Sequence, residues 1–174
     1  MAHAYTLQRQ SDRNHTIALI DGPNMSNLGG RSKRTYGSIA SLQDLQAFVV
    51  NLGKDLGVTV ETFDSNHMGD ILEYIHESAH RVDGYIINPA GLTTVGEAVR
   101  HALEETERPT IEVHFANISA VAGVQRGLVG GTLKSTFTHT ATGLAMGLRQ
   151  YSYSAALLGL VQSLDDDTFL GQPG

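Results

Sequence analysis

Two pairs of side chains in this chain have the types and spacing of acid–base machinery. Glu112 and His114 close the apolar stretch T-I-E-V-H. Residues i and i+2 of a strand point to the same side, so the carboxylate can orient and charge the imidazole and make it a general acid or base. The alternative is a core histidine whose polar atoms are merely satisfied. Arg31 and Tyr36 share the segment GPNMSNLGGRSKRTYG, residues 22–37. A cation beside a phenol favours the phenolate, which would make Tyr36 a base. Alternatively Tyr36 is a half-buried anchor and Arg31 faces solvent. Asn88, followed by Pro89, either binds a substrate carboxylate or caps a turn. The run H-E-S-A-H at 76–80 has the lettering of a zinc-protease helix. The apolar stripe Ile71, Leu72, Ile75 and Ala79 leaves His76 and His80 at the polar margin, so no metal site is expected there. Gly130-Gly131 lacks a Walker lysine pattern, so phosphate binding is only weakly supported.

Regular elements must position these groups, and the chain alternates between two hydrophobic periods. The continuous run Ile17–Ile20, ended by Asp21-Gly22-Pro23-Asn24, reads as a buried strand followed by a turn. Residues 41–56 carry Leu42, Leu45, Phe48, Val49, Leu52 and Leu56 at helical spacing, with Ser41 as N-cap and Gly57 as the stop. Further strands are expected at 58–63, 85–87, 110–114 and, short, within 142–148. Helices are expected at 68–80, 95–105 (Val95, Ala98, Val99, Ala102 and Leu103 inward) and 151–164. Single helices between short apolar strands imply βαβ units, a five-stranded parallel sheet and a doubly wound α/β sandwich. In such folds ligands bind beyond the carboxyl ends of the strands. Asp21, Asn24, Ser65-Asn66-His67, Asn88 and His114–Asn117 all fall at those ends. Residues 22–37 exceed the usual 2–6 residues of a βα connection and read as a mobile lid. One domain, 16–164, is expected between a flexible leader, 1–15, and a flexible acidic tail, 165–174.

Composition removes several function classes. The chain has 174 residues, Lys+Arg 12 against Asp+Glu 18, a net charge of −6 and no basic cluster, so no nucleic-acid partner is expected. There is no cysteine, which excludes disulfides, thiolate metal sites and a cysteine nucleophile. No apolar run approaches the ~20 residues of a membrane-spanning helix. The polar start MAHAYTLQRQSDRNH gives no sign of a secretory signal, and a cytoplasmic location is expected.

Read together, I-D-G-P-N-M-S-N-L-G-G-R at 20–31, Tyr36-Gly37, D-S-N-H-M-G-D-I-L-E-Y-I-H-E-S-A at 64–79, I-I-N-P-A-G-L-T at 86–93, I-E-V-H-F-A-N-I at 111–118 and A-T-G-L-A-M-G-L at 141–148 resemble the type II 3-dehydroquinate dehydratases. These are the flavodoxin-like dehydroquinases of the shikimate pathway, and the likeness spans most of residues 17–164. It implies removal of water β to a ketone through an enolate, with no cofactor and no metal. By this resemblance Tyr36, aided by Arg31, takes the α proton. His114, paired with Glu112, protonates the departing hydroxyl. Asn24 holds a water that stabilises the enolate, and Asn88 helps hold the substrate. The resemblance also implies homo-oligomers, trimers that gather into dodecamers.

The departures fall on substrate recognition. Thr94 stands where the family has a histidine, and Ala116, after Phe115, where it has a carboxylate-binding serine. His101 replaces an aspartate that reaches into a neighbouring subunit, and Gln125 stands at about the place of a ring-clamping arginine. The stretch between Arg126 and Ala141 is longer than in the family. Losing charge-assisted bonds of about 1.5–3 kcal/mol each weakens binding by powers of ten. Four readings follow: a lyase on another small cyclic hydroxy-ketone, in keeping with specialised metabolism; a 3-dehydroquinate dehydratase with substitute residues such as His101, Arg126 or His139; an isomerase or cyclase using the same pair; and a non-catalytic homologue.

Overall fold

The computed structural model describes Arg9 and residues 11–121 and 132–169. Five strands, β1 (Thr16–Asp21), β2 (Thr59–Asp64), β3 (Gly84–Asn88), β4 (Thr110–His114) and β5 (Gly143–Met146), form one parallel sheet in the order β2-β1-β3-β4-β5. That order is the flavodoxin-like doubly wound arrangement expected from the alternation of periods.

Side chains alternate across the strands and build two cores. Ile17, Leu19, Ile86 and Val113 meet helices α2 (Leu42–Asp55) and α5 (Tyr151–Asp165) on one face. Ala18, Ile20, Tyr85 and Ile87 meet α3 (Met68–Ser78) and α4 (Glu97–Glu105) on the other. The Ser41 hydroxyl accepts from the Asp44 amide at 3.0 Å, the expected N-cap of α2, and Gly57 takes φ +68° just beyond its end.

One expectation needs correction. Val95 and Ala98 are not inward. The helix starts at Glu97, so Val95 precedes it and is 66% exposed, while Val99, Ala102 and Leu103 carry the buried stripe. Residues 22–37, expected to form a lid, carry short elements of their own. They fold into a 3-10 segment, Met25–Gly30, that buries Met25 and Leu28, and a one-turn helix α1, Lys33–Tyr36. Outside the expected 16–164 unit, Arg9 and His15 both bond Asp165 at the end of α5, at 2.6 and 2.8 Å, so the chain before β1 is tied to the start of the acidic tail.

Candidate active site

The carboxyl ends of β1, β3 and β4 meet in one cleft. Its described lining is Met25, Arg31, Tyr36, Asn88, Ala90, Thr93, His114, Phe115, Ala116, Ile118 and Leu133, and it encloses about 430 Å³ including its open mouth. Glycine lets two turns close at its floor. The Gly22 amide donates to the Asn88 carbonyl at 2.8 Å, and a Cβ on Gly22 would stand 2.4 Å from the Pro89 carbonyl oxygen.

Both expected pairs form, with Arg31, Tyr36 and His114 lining this cleft and Glu112 buried behind His114. The single turn of α1 folds Tyr36 back onto Arg31, whose guanidinium donates to the phenol oxygen and lies 3.8 Å from the ring centroid. Phe115 supports the phenol from 6.1 Å. On β4, the strand period sets Glu112 and His114 side by side, with Nε2 2.7 Å from Oε1. Glu112 has no solvent exposure. Burial pushes its carboxyl up, but hydrogen bonds from His114, Ser135 and Thr138 together outweigh burial and hold it below the ordinary value.

Asn88 belongs to a buried chain of bonds that the residue pattern did not disclose. Asp21 and Asn88 are register partners on β1 and β3. The Tyr153 hydroxyl, from α5, donates to Asp21 Oδ1 at 2.7 Å and accepts from Asn88 Nδ2 at 2.7 Å. Asn88 Nδ2 also meets Met25 Sδ at 3.1 Å, while its Oδ1 accepts from the Ala90 amide at 3.1 Å. Asp21 is wholly buried and its Oδ2 has no hydrogen-bond partner. Burial, opposed by the Tyr153 bond and reinforced by the Asp64 charge, raises its carboxyl to about 7, and Tyr153 is pushed well above the ordinary phenol value, chiefly by burial and then by the Asp21 charge.

Other candidates lie elsewhere. Asn24 is exposed on the turn after β1 with φ +75°, and its amide donates to Asn66 Oδ1 at 2.7 Å, so it is not part of the cleft wall. Thr94 is exposed. Its neighbour Thr93 lines the cleft instead, with its hydroxyl donated to the Ala90 carbonyl at 2.7 Å. His101 is exposed on α4, on the opposite side of the helix from its buried stripe, and does not line this chain's own cleft. Gln125, Arg126 and Gly130-Gly131 lie outside the described residues. His76 and His80 are exposed, and among the described residues no group of three or more His, Asp or Glu side chains could hold a metal ion. The pattern also missed Met25, Ala90, Ile118 and Leu133. Met25 was signalled by its place in the turn after β1, whereas Ile118 and Leu133 come from irregular segments without periodicity.

Comparison with known proteins agrees with this geometry. The family description "Dehydroquinase class II" matches residues 15–161. The chain belongs to the type II dehydroquinase family. A catabolic 3-dehydroquinase of Talaromyces marneffei is 38% identical over 142 residues, 82% of this chain and 77% of the relative. A 3-dehydroquinate dehydratase of Caldicellulosiruptor bescii is 37% identical over 150 residues, 86% of this chain and 98% of the relative. Among solved structures, the type II dehydroquinase from Butyrivibrio crossotus superposes with a TM-score of 0.75 at 29% identity, covering 84% of this chain and 97% of that one. As dehydroquinases of this type are carbon–oxygen lyases, the chain is an enzyme of that class. Among the described residues no helix is long and apolar enough to cross a membrane.

Proposed function

We propose that the chain eliminates water from a small cyclic hydroxy-ketone through an enolate, and that this ketone is not 3-dehydroquinate. Tyr36 removes the proton α to the carbonyl, and the Arg31 guanidinium stabilises the phenolate that acts as base. The C–H electron pair passes into the enolate. As the carbonyl re-forms, the β C–O bond breaks, and His114, charged by Glu112, gives its proton to the departing hydroxyl to make water.

One observation carries the reading: the Arg31–Tyr36 pair and His114, backed by Glu112, open into a single cleft. The change of substrate rests on the rest of the wall among the described residues. Met25, Ala90, Phe115, Ala116, Ile118 and Leu133 offer no charged or strongly donating side chain. The Thr93 hydroxyl and the Asn88 amide hydrogens are already donated within the protein. A polyhydroxylated carboxylate would leave groups unpaired against such a wall, which favours a less hydroxylated ring. This fits a role in specialised metabolism. The names of the relatives favour a second reading, 3-dehydroquinate itself. Assembly into trimers, with His101 at a neighbour's cleft, is proposed from the family likeness, and sedimentation of the purified chain tests it.

The deciding experiment follows enone absorbance with 3-dehydroquinate beside a panel of less hydroxylated β-hydroxy cyclohexanones. Turnover is expected on the panel, reduced by about 10²–10⁴ in Tyr36→Phe. Turnover of 3-dehydroquinate in preference to the panel establishes the second reading. An unchanged rate in Tyr36→Phe removes Tyr36 as the base.

A further inference from the structure

We propose that Thr138 and Ser135 are positioning residues that act on His114 through Glu112, donating their hydroxyls so that the buried carboxylate stays charged and aimed at the imidazole. The inference rests on the reading of His114 as the acid, and it concerns residues that the sequence pattern left without a role.

The need arises from where Glu112 sits. It pairs in register with Ile87 on β3, so its side chain points to the α3–α4 face among apolar groups. A carboxylate there without enough donors would take up a proton, because desolvation disfavours the charged form. The proton nearest at hand is the one on His114 Nε2, and an imidazole that surrenders it is left neutral, its remaining N–H too weak an acid to protonate a departing hydroxyl. One partner, His114, fills Oε1. Thr138 Oγ1 donates to Oε2, and the Ser135 hydroxyl, three residues before it, further favours the charged form. The Ser135 oxygen already accepts from the Phe137 amide at 3.1 Å, which leaves its own proton free for the carboxylate.

Both hydroxyls come from residues 132–142, a segment with no regular structure that is nevertheless fastened to the sheet and its loops. The Leu133 amide donates to the Ile118 carbonyl, the Thr136 amide to Thr93 and the Thr142 amide to Thr110, each at 2.8 Å. Phe137, between the two hydroxyl-bearing residues, is buried in the α3–α4 core. Its ring lies so close to Gly96 that a Cβ there would stand 2.6 Å from Cζ. The anchored ring fixes the segment so that Thr138 reaches the outer oxygen of Glu112, with Ser135 on the other side of the ring in the same segment.

The test reads the Glu112 carboxyl by carbon-13 NMR in the whole protein without substrate, the resonance being assigned with Glu112→Gln. In the wild type the signal is expected to stay in its ionised position below the ordinary glutamate midpoint of about 4.3. Thr138→Val should carry the midpoint above that value, Thr138→Ser should restore it, and Ser135→Ala should raise it by a smaller step. Should Thr138→Val fail to fold, Ser135→Ala and Thr138→Ser carry the comparison. A midpoint that is the same in wild type and in the hydroxyl-deleted variants overturns the proposal. On any substrate found to turn over, Thr138→Val should lower kcat with little change in KM. An unchanged kcat beside a moved midpoint overturns the link to His114. Because the titration needs no substrate, its failure is separate from a failure of the proposed dehydration.

Discussion

Among the described residues, Asp21 is the one buried carboxyl left half unsatisfied, and replacing it by Asn removes it. In the native protein Oδ1 accepts from Tyr153 at 2.7 Å, while Oδ2 has no partner. Burial lifts the group from 3.8 to about 7. A raised folded value means that the native state binds the proton more tightly than the unfolded chain. Its contribution is therefore complete below about pH 3.8 and is lost as pH rises through about 7. The gap between the two values corresponds to a ceiling of about 4 kcal/mol, of which about 2.5 kcal/mol is lost between roughly pH 5 and pH 8. Asparagine keeps an oxygen for the Tyr153 hydroxyl and has no charge to desolvate, although its amide hydrogens need partners at a cost of about 1–3 kcal/mol. The difference in stability between Asp21→Asn and wild type should therefore grow in favour of the variant by about 2.5 kcal/mol from pH 5 to pH 8, whatever its offset. Urea unfolding at a series of pH values and one protein concentration measures it, since other titrating groups cancel in the comparison. Parallel stability curves for the two proteins over that range would refute the reasoning.

Two further substitutions probe the wall and floor of the cleft. Ala116→Ser adds a hydroxyl to a 3%-exposed position in the lining and should tighten 3-dehydroquinate binding about tenfold, read by calorimetry; an unchanged Kd would show that this position does not meet the ligand. Gly22→Ala forces a methyl to within 2.4 Å of the Pro89 carbonyl oxygen and should destabilise the protein by about 1–3 kcal/mol in urea unfolding. Wild-type stability in that variant would mean that the two turns part without cost.

What could be read from the residues was local. Ile17–Ile20 announced β1 because a fully covered parallel strand is continuously apolar. Glu112 and His114 could be paired because a strand repeats every two residues, and Arg31 and Tyr36 because they share one short segment. The Asp21–Tyr153–Asn88 chain could not be read this way. Its members lie 132 and 65 residues apart along the chain and meet only because β1 and β3 are in register beneath α5. Ser135 and Thr138 were hidden for a related reason: 132–142 follows neither the helical nor the strand period, and its path is set by long-range backbone bonds and the burial of Phe137.

This division bears on how such a site can change its substrate. The acid–base end is embedded in regular structure: Glu112 and His114 are consecutive inward residues of β4, and Asn88 ends β3. Substitution there disturbs a strand buried on both faces, and with it the chain of bonds running back to Asp21. The wall is built differently. Ile118 and Leu133 come from irregular segments on either side of residues 122–131, and Ala116 lies just past the end of β4. Side chains at those places can be exchanged without altering a ladder hydrogen bond or a core layer, so selectivity can shift while proton transfer stays in place. The stability cost of a new substrate should accordingly be small when it is met at 116, 118 or 133, and large when it requires a change at Asn88 or Glu112.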